Sequence, residues 1–390
     1  MKKKIFAVLL LTALISSALT VLGICFVLNL DAKSAINLGR FLSAMNFIEL
    51  QYVQDVDKDK LIDGAISGMV RSLGDPHSVY LEPKLYSQLK ADTSGAFGGI
   101  GVYMGFKDNG VQILNVIPDG PGDRSGLKAG DSILAVNSEP VNQIEYGEVA
   151  LKIRGEVGTS VELLVHREGE EDKTYTITRE IIKVQTVSSK MLDDILGYIR
   201  ISNFSENTGK EFKTALNELE SANMKGLILD LRQNPGGVIT SCVEVAREIV
   251  PKGPIVSVIQ RDGTKEVYTS DLEQTKFPIV VLLDQNSASA AELLSGALQD
   301  TKAAVVVGKK SYGKGSVQTL IPMFRDDGLK LTVAKYYTPN GRSIDGVGII
   351  PDVEVSLENP LPPTREINLD LENDAQLRKA EEILSEKVGN

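Results

Sequence analysis

Residues 278–300 read PIVVLLDQNSASAAELLSGALQD. An unbroken apolar run, a turn of small polar residues and an apolar-periodic segment describe a buried strand feeding a helix. Strands that are apolar on both faces belong to sheets covered on both sides, as in α/β folds. The same texture recurs nearby. Upstream, GLILDL (226–231) leads through a glycine turn into VITSCVEVAREIV (238–250); downstream comes AAVVVG (303–308). Residues 184–356 are therefore expected to form an α/β core.

The turn carries the chemistry. Ser289-Ala290-Ala291-Glu292 is S-x-x-E, a capping box, and a helix cap explains the serine without any reaction. A functional reading is compatible with that one. A serine between a buried strand and a helix presents its hydroxyl at the sheet edge, and the Ala290 N–H points where an oxyanion would develop. The chain has 2 histidines in 390 residues, so a serine nucleophile here would take its base from another side chain. Lys314, flanked by Gly313 and Gly315 and followed by the strand-like SVQTLIP, is the candidate. To act as base its pKa must fall from about 10.4 towards roughly 7–8, which desolvation can achieve. That is the Ser-Lys form of nucleophilic catalysis. Gln318 falls on the same strand face and can orient the amine. In DLRQNPGGV (230–238), the Gly236-Gly237 turn exposes backbone N–H groups and can give a second oxyanion donor; a tight strand-to-helix turn is the plain alternative. Asp230 and Arg232 read as a structural pair. Gly308–Lys314 has most of a phosphate-binding loop, but Gly315 stands where Ser or Thr would hold magnesium.

A 42% apolar chain of 390 residues is folded and exceeds one core. Its net charge of −10 argues against nucleic acid as a partner. Cys25 and Cys242 form no CxxC or His/Cys cluster, so no disulfide, metal or cofactor is expected. Lys2, Lys3 and Lys4 precede the uncharged run Ile5–Leu30, which as a helix exceeds the roughly 30 Å hydrocarbon core. We read residues 1–30 as a transmembrane signal-anchor, N-inside, placing the rest outside the cytoplasm. A cleavable signal peptide ending near Ser16-Ser17-Ala18 is the alternative. Residues 31–94 read as helical, with Leu38, Phe41, Leu42, Met45 and Ile48 on one face and a second helix over Lys58–Leu73. Residues 95–183 are short β runs broken by glycine. In the tail, 357–390, a helix is expected over 374–388, with Leu377, Ala380 and Leu384 on one side. That periodicity suits docking on the same chain and pairing with a second copy equally.

The motifs DLRQNPGG, NSASAAE, SYGKGSVQ and TPNGRSIDGVGIIPDVEV, in this order, resemble the carboxyl-terminal processing (tail-specific) peptidases, a group of serine–lysine proteases. GMVRSLGDPHSVYLEP and GAFGGIGVYM fit as well, so the resemblance covers about residues 37–356. It implies Ser289 as nucleophile, Lys314 as base, Gln318 as its helper, and Ala290 with the Gly236–Gly237 turn as oxyanion amides. Ala291 replaces a common serine of the motif. His77 has no catalytic counterpart. Within residues 95–183, SGLKAGDSILAVNSEPV and FGGIGVYMG resemble a PDZ domain. That implies strand addition of a peptide, with Gly99, Ile100 and Gly101 cradling its carboxylate. The fold class expected is thus multidomain α/β: membrane helix, helical segment, PDZ domain and serine–lysine protease core. The function implied is a membrane-anchored endopeptidase that takes extracytoplasmic proteins by free, apolar C termini and cuts near them, with a homodimer as a further possibility. A non-catalytic PDZ adaptor for C-terminal tails is the competing reading.

Overall fold

The structure is a computed structural model that describes residues 31–107, 110–143, 146–357 and 373–389, with 11–12, 15–16 and 20 of the N-terminal run. The signal-anchor reading of residues 1–30 thus lies almost wholly outside the described residues. Among the described residues no helix is long and apolar enough to cross a membrane. The chain divides into two compact units, Met1–Tyr80 and Leu81–Asn390.

In the first unit, helices Ala32–Gln51 and Lys58–Arg71 start at aspartate caps. Asp31 accepts from the Ser34 N–H at 2.7 Å and Asp57 from that of Asp59 at 3.0 Å, satisfying orphan donors of the first turn. The expected stripe forms, yet Phe41, Leu42 and Ile48 are exposed within the unit.

The second unit holds the glycine-broken β segment and the α/β core. In the former, strands Val102–Lys107, Gly110–Val116, Ser132–Val136, Ser160–His166 and Lys173–Thr178 pair antiparallel in the order of the chain. Their alternate residues, Val161, Leu163 and Val165 among them, close a core with Val149 and Ile153 of helix Tyr146–Ile153. Asp131, 1% exposed, anchors the entry to this sheet. Its carboxylate accepts Arg167 Nε at 2.7 Å and the Lys128 N–H at 2.8 Å. Burial pushes that carboxyl up, but Arg167 and Lys128 together more than offset it and the net shift is down. Val102–Lys107 lies at one edge of this sheet, with no strand paired on its outer side among the described residues.

The α/β core is built on a sheet with strand order Val187–Met191, Leu196–Ile201, Gly226–Asp230, Ile279–Leu283, Ala304–Gly308, Val353–Glu354. The first pair is antiparallel and the others are parallel. Each residue of Ile279–Leu283 is buried, as a two-faced strand requires. Leu227, Leu229, Val281 and Leu283 pack against helices Thr208–Ser221, Ile239–Ile249 and Ala290–Asp300. Ile228, Val280 and Leu282 face the other way, against Leu377, Ala380 and Leu384 of helix Ala375–Val388. The apolar side of the C-terminal helix, which the periodicity left open, is thus spent on the chain's own sheet. A second, antiparallel sheet pairs Gly253–Gln260 with Lys265–Ser270 and with Gly328–Tyr337, which also pairs with Ser316–Pro322.

Three neighbouring parallel strands end in the loops that matter: Asp230 leads into 231–238, Leu283 into 284–289, and Gly308 into 309–315. The carboxyl edge of such a sheet is where α/β proteins place ligands. A strand, Ser316–Pro322, follows Lys314 where a phosphate-binding loop would open a helix.

Candidate active site

Ser289 precedes helix Ala290–Asp300 in a conformation rare for a residue with a side chain, φ +52° and ψ −115°. Holding it there costs on the order of 1–3 kcal/mol, and such strain clusters at functional sites. Its N–H donates to Glu292 Oε2 at 2.8 Å. Glu292 is wholly buried and does more than cap. The same Oε2 accepts the Lys314 N–H at 2.9 Å, and Oε1 accepts the Gly313 N–H at 2.6 Å and Ser311 Oγ at 2.5 Å. One carboxylate therefore ties the backbone of Ser289 to that of Lys314, although different strands deliver them. Ser311 is itself held, its Oγ accepting the Ile349 N–H at 2.6 Å.

Around the serine the site is largely buried. Ser289 is 6% exposed and Tyr336 3%. Burial pushes the Tyr336 phenol up, the Cys242 side chain adds to this, and a hydrogen bond with the Ser289 side chain opposes it. Cys242, also buried, has its thiol pushed up to about 12 by desolvation, so it stays protonated and donates to the Ala290 carbonyl at 3.2 Å. A thiol in that state is no rival nucleophile. Lys314 is half-buried. Gln318 spends its amide nitrogen on Ser316 Oγ at 2.8 Å and Thr332 Oγ1 at 3.2 Å, which leaves Oε1 as the end able to accept from an amine.

The glycine turn divides its two members. The Gly236 N–H is taken by Asn234 Oδ1 at 2.8 Å, while Asn234 Nδ2 donates to the Ile201 carbonyl at 2.8 Å. The Gly237 and Ala290 N–H groups have no hydrogen bond among the described residues. Of the two glycines named from sequence, only Gly237 is thus left with a donor to offer. Gly236 supplies space: at φ +96° a Cβ on it would lie 2.7 Å from Ser289 Cβ and 2.9 Å from the Ala290 nitrogen. A side chain there would crowd the Ala290 nitrogen, so only glycine leaves that amide open.

In the PDZ-like segment, Ile100 is 1% exposed and its carbonyl accepts the Gly122 N–H at 2.7 Å; the Gly101 carbonyl accepts that of Ile117 at 2.8 Å. The Ile100 and Gly101 N–H groups make no hydrogen bond among the described residues. Ile100 and Gly101 line a groove of about 250 Å³ together with Val102, Met104 and Ile153. Gly99 lines it and ends a strand paired with Glu180–Lys183. Arg154 closes one side, stacked 3.9 Å over Phe97 and 3.5 Å from Asp92.

Sequence reasoning named Glu292 only as a cap and missed Asn234 and Tyr336. The capping box was the one signal for Glu292; its three further donors come from another loop. His166 pairs with Asp172 at 2.7 Å, at the end of a PDZ-segment strand. No group of side chains fit to hold a metal ion occurs among the described residues.

A strained serine at a sheet edge, tied through one carboxylate to a lysine-bearing loop, is an arrangement suited to hydrolases that work through a serine. Comparison with known proteins sharpens that class. Residues 195–355 match peptidase family S41, residues 112–167 match the PDZ domain, and residues 29–84 match the activating protease CtpB N-terminal domain. A carboxy-terminal-processing protease of Bartonella bacilliformis is 37% identical over 89% of this chain and 81% of its own length. The carboxy-terminal processing protease CtpA of Bacillus subtilis is 38% identical over 91% and 77%. Among solved structures, a photosystem II D1 C-terminal processing protease is 29% identical, with a TM-score of 0.50 over 85% of this chain and 95% of that one. The chain belongs to the carboxy-terminal processing proteases of family S41, which are serine peptidases.

Proposed function

We propose that the chain is a membrane-anchored serine–lysine endopeptidase that cuts extracytoplasmic proteins near their C termini. Ser289 is the nucleophile. Lys314, as a neutral amine, takes the hydroxyl proton while Oγ attacks the scissile carbonyl, and Gln318 Oε1 orients the amine. The Gly237 and Ala290 amides receive the oxyanion of the tetrahedral intermediate. The ammonium then protonates the leaving amine, and water resolves the acyl-enzyme by the same route. The observation that carries this reading is the Glu292 carboxylate, which holds the Ser289 and Lys314 N–H groups on one oxygen.

Residues 95–183 act as the PDZ domain that presents the tail to the core, 184–356. The peptide adds to the edge strand Val102–Lys107, and its carboxylate sits on the open Ile100 and Gly101 amides, with Gly99 lining the approach. Amidating the substrate's C terminus removes the charge those amides read. We expect an amidated peptide to show KM raised about tenfold or more, the worth of a charge-assisted hydrogen bond, with kcat little changed. Equal kinetics for acid and amide would remove the carboxylate from the account.

The membrane anchor rests on the triple lysine before Ile5–Leu30. Protease added to intact spheroplasts should digest the chain; a protected chain would put the enzyme on the cytoplasmic side. The exposed Phe41, Leu42 and Ile48 support pairing of helix Ala32–Gln51 with a second copy, which sedimentation of the form starting at Asp31 would test.

A further inference from the structure

Arg232 has no part in the chemistry above, yet it is among the most buried side chains of the core, 2% exposed. Its guanidinium is engaged on two sides. Nε and Nη2 donate to the Asp230 carboxylate, at 3.0 and 2.6 Å. Nη1 donates to Asp374 Oδ1 at 3.0 Å and to Gln376 Oε1 at 3.1 Å. Both acceptors belong to the start of the C-terminal helix. Asp374 caps it, accepting the Leu377 N–H at 3.0 Å, and Gln376 Nε2 donates to the Val355 carbonyl at 2.8 Å.

The loop that carries Arg232 is bonded to the loop that carries the nucleophile. The carbonyl of Leu231, beside Arg232, accepts Ser287 Oγ at 2.8 Å, and the Asn234 carbonyl accepts the Ala288 N–H at 2.9 Å. Asn234 Oδ1 holds Gly236, on which a Cβ would lie 2.7 Å from Ser289 Cβ. Thus the turn that offers the Gly237 amide follows directly on an arginine that the tail grips.

A buried ion pair contributes little net stability, because desolvation offsets the attraction, and apolar residues would dock the helix as well. A forked guanidinium held by two partners contributes geometry instead. We propose that Arg232 is a positioning residue for the oxyanion turn, gripped by Asp374 and Gln376, so that the docked C-terminal helix is part of the catalytic apparatus. The proposal rests on the reading of Ser289 as nucleophile and Gly237 as oxyanion donor. Arg200 strengthens the dependence: its Nε is buried without a partner and its Nη1 is 4.0 Å from Asp230. With Asp374 neutralised, Arg232 and Arg200 share the Asp230 carboxylate, and the tail's hold on Arg232 is weakened.

The test is Asp374→Asn in the form starting at Asp31. Asparagine caps a helix as well as aspartate, so the helix keeps its start while Arg232 loses the negative charge of its partner at position 374. Three quantities are read: kcat, KM and the Ki of a peptide aldehyde, whose adduct with a serine carries the oxyanion. We expect kcat to fall about 10- to 100-fold, the usual effect of a small misplacement, with KM within about twofold. The Ki should weaken by the same factor as kcat/KM, because the aldehyde mimics the transition state. A merely structural role would instead lower the titre of active sites and leave kcat per titrated site and Ki at the parental values; that result overturns the proposal. If Asp374→Asn does not fold, Gln376→Ala decides by the same readouts. Ser289→Ala run alongside separates the failures. Cleavage surviving in Ser289→Ala sinks the underlying reading. Its loss there, with parental kcat in Asp374→Asn, sinks only the positioning role.

Discussion

Replacing Ser289 by alanine is expected to lower kcat by about 10⁴-fold or more with KM nearly unchanged, and Lys314→Ala should fall to the same floor. Residues that act as one unit lose their effect together, so the double variant should be no worse than either single one. Lys314→Arg is the informative control. Arginine keeps the positive charge and the length but cannot give up its proton, so an electrostatic role for Lys314 would survive the exchange and a base would not. We expect it to match Lys314→Ala. Steady-state kinetics on one peptide with a free carboxylate settles the set, and a Lys314→Arg variant within about tenfold of the parent would remove the base from the mechanism.

The second large effect is expected at Glu292, which does not touch substrate. Its two oxygens accept four donors, from Ser289, Ser311, Gly313 and Lys314. Glu292→Gln keeps the shape but presents an NH2 to two of them, so donor faces donor in a wholly buried place. Each buried donor left unmatched costs about 1–3 kcal/mol, and hydrogen bonds to a charged group are the stronger kind. We expect Glu292→Gln to lose about 2–5 kcal/mol of unfolding free energy in urea and about 100-fold or more in kcat, because the serine and lysine backbones are released from each other. A kcat within about threefold of the parent at full folding would mean that the carboxylate is only a helix cap.

These expectations show which links were legible in the chain. The buried strands could be read because Ile279–Leu283 and Gly226–Asp230 are apolar at each step or nearly so, and a sheet covered on both faces demands that. Ser289 could be placed at a strand-to-helix turn because S-x-x-E marks a helix start. The doubled duty of Glu292 could not be read, since Ser311, Gly313 and Lys314 reach it from the loop after a different strand. Nor could the division of labour within the glycine turn. It depends on the side chain of Asn234 closing on Gly236, a conformational choice that G-G does not encode. For the C-terminal helix, periodicity identified Leu377, Ala380 and Leu384 as one face but not what covers it. What covers it is Ile228, Val280 and Leu282, far away in sequence, and the helix start is bonded to Arg232 through Asp374 and Gln376.

The central claim is that Ser289 is a nucleophile made reactive by Lys314. A fluorophosphonate tests it directly, because an activated serine oxygen displaces the fluoride and stays bonded to phosphorus. Peptide mapping by mass spectrometry after treating the form starting at Asp31 should find one adduct, on Ser289, absent in Lys314→Ala and in protein unfolded before treatment. An adduct on another residue accompanying loss of activity, or full labelling of Ser289 in Lys314→Ala, would contradict the account.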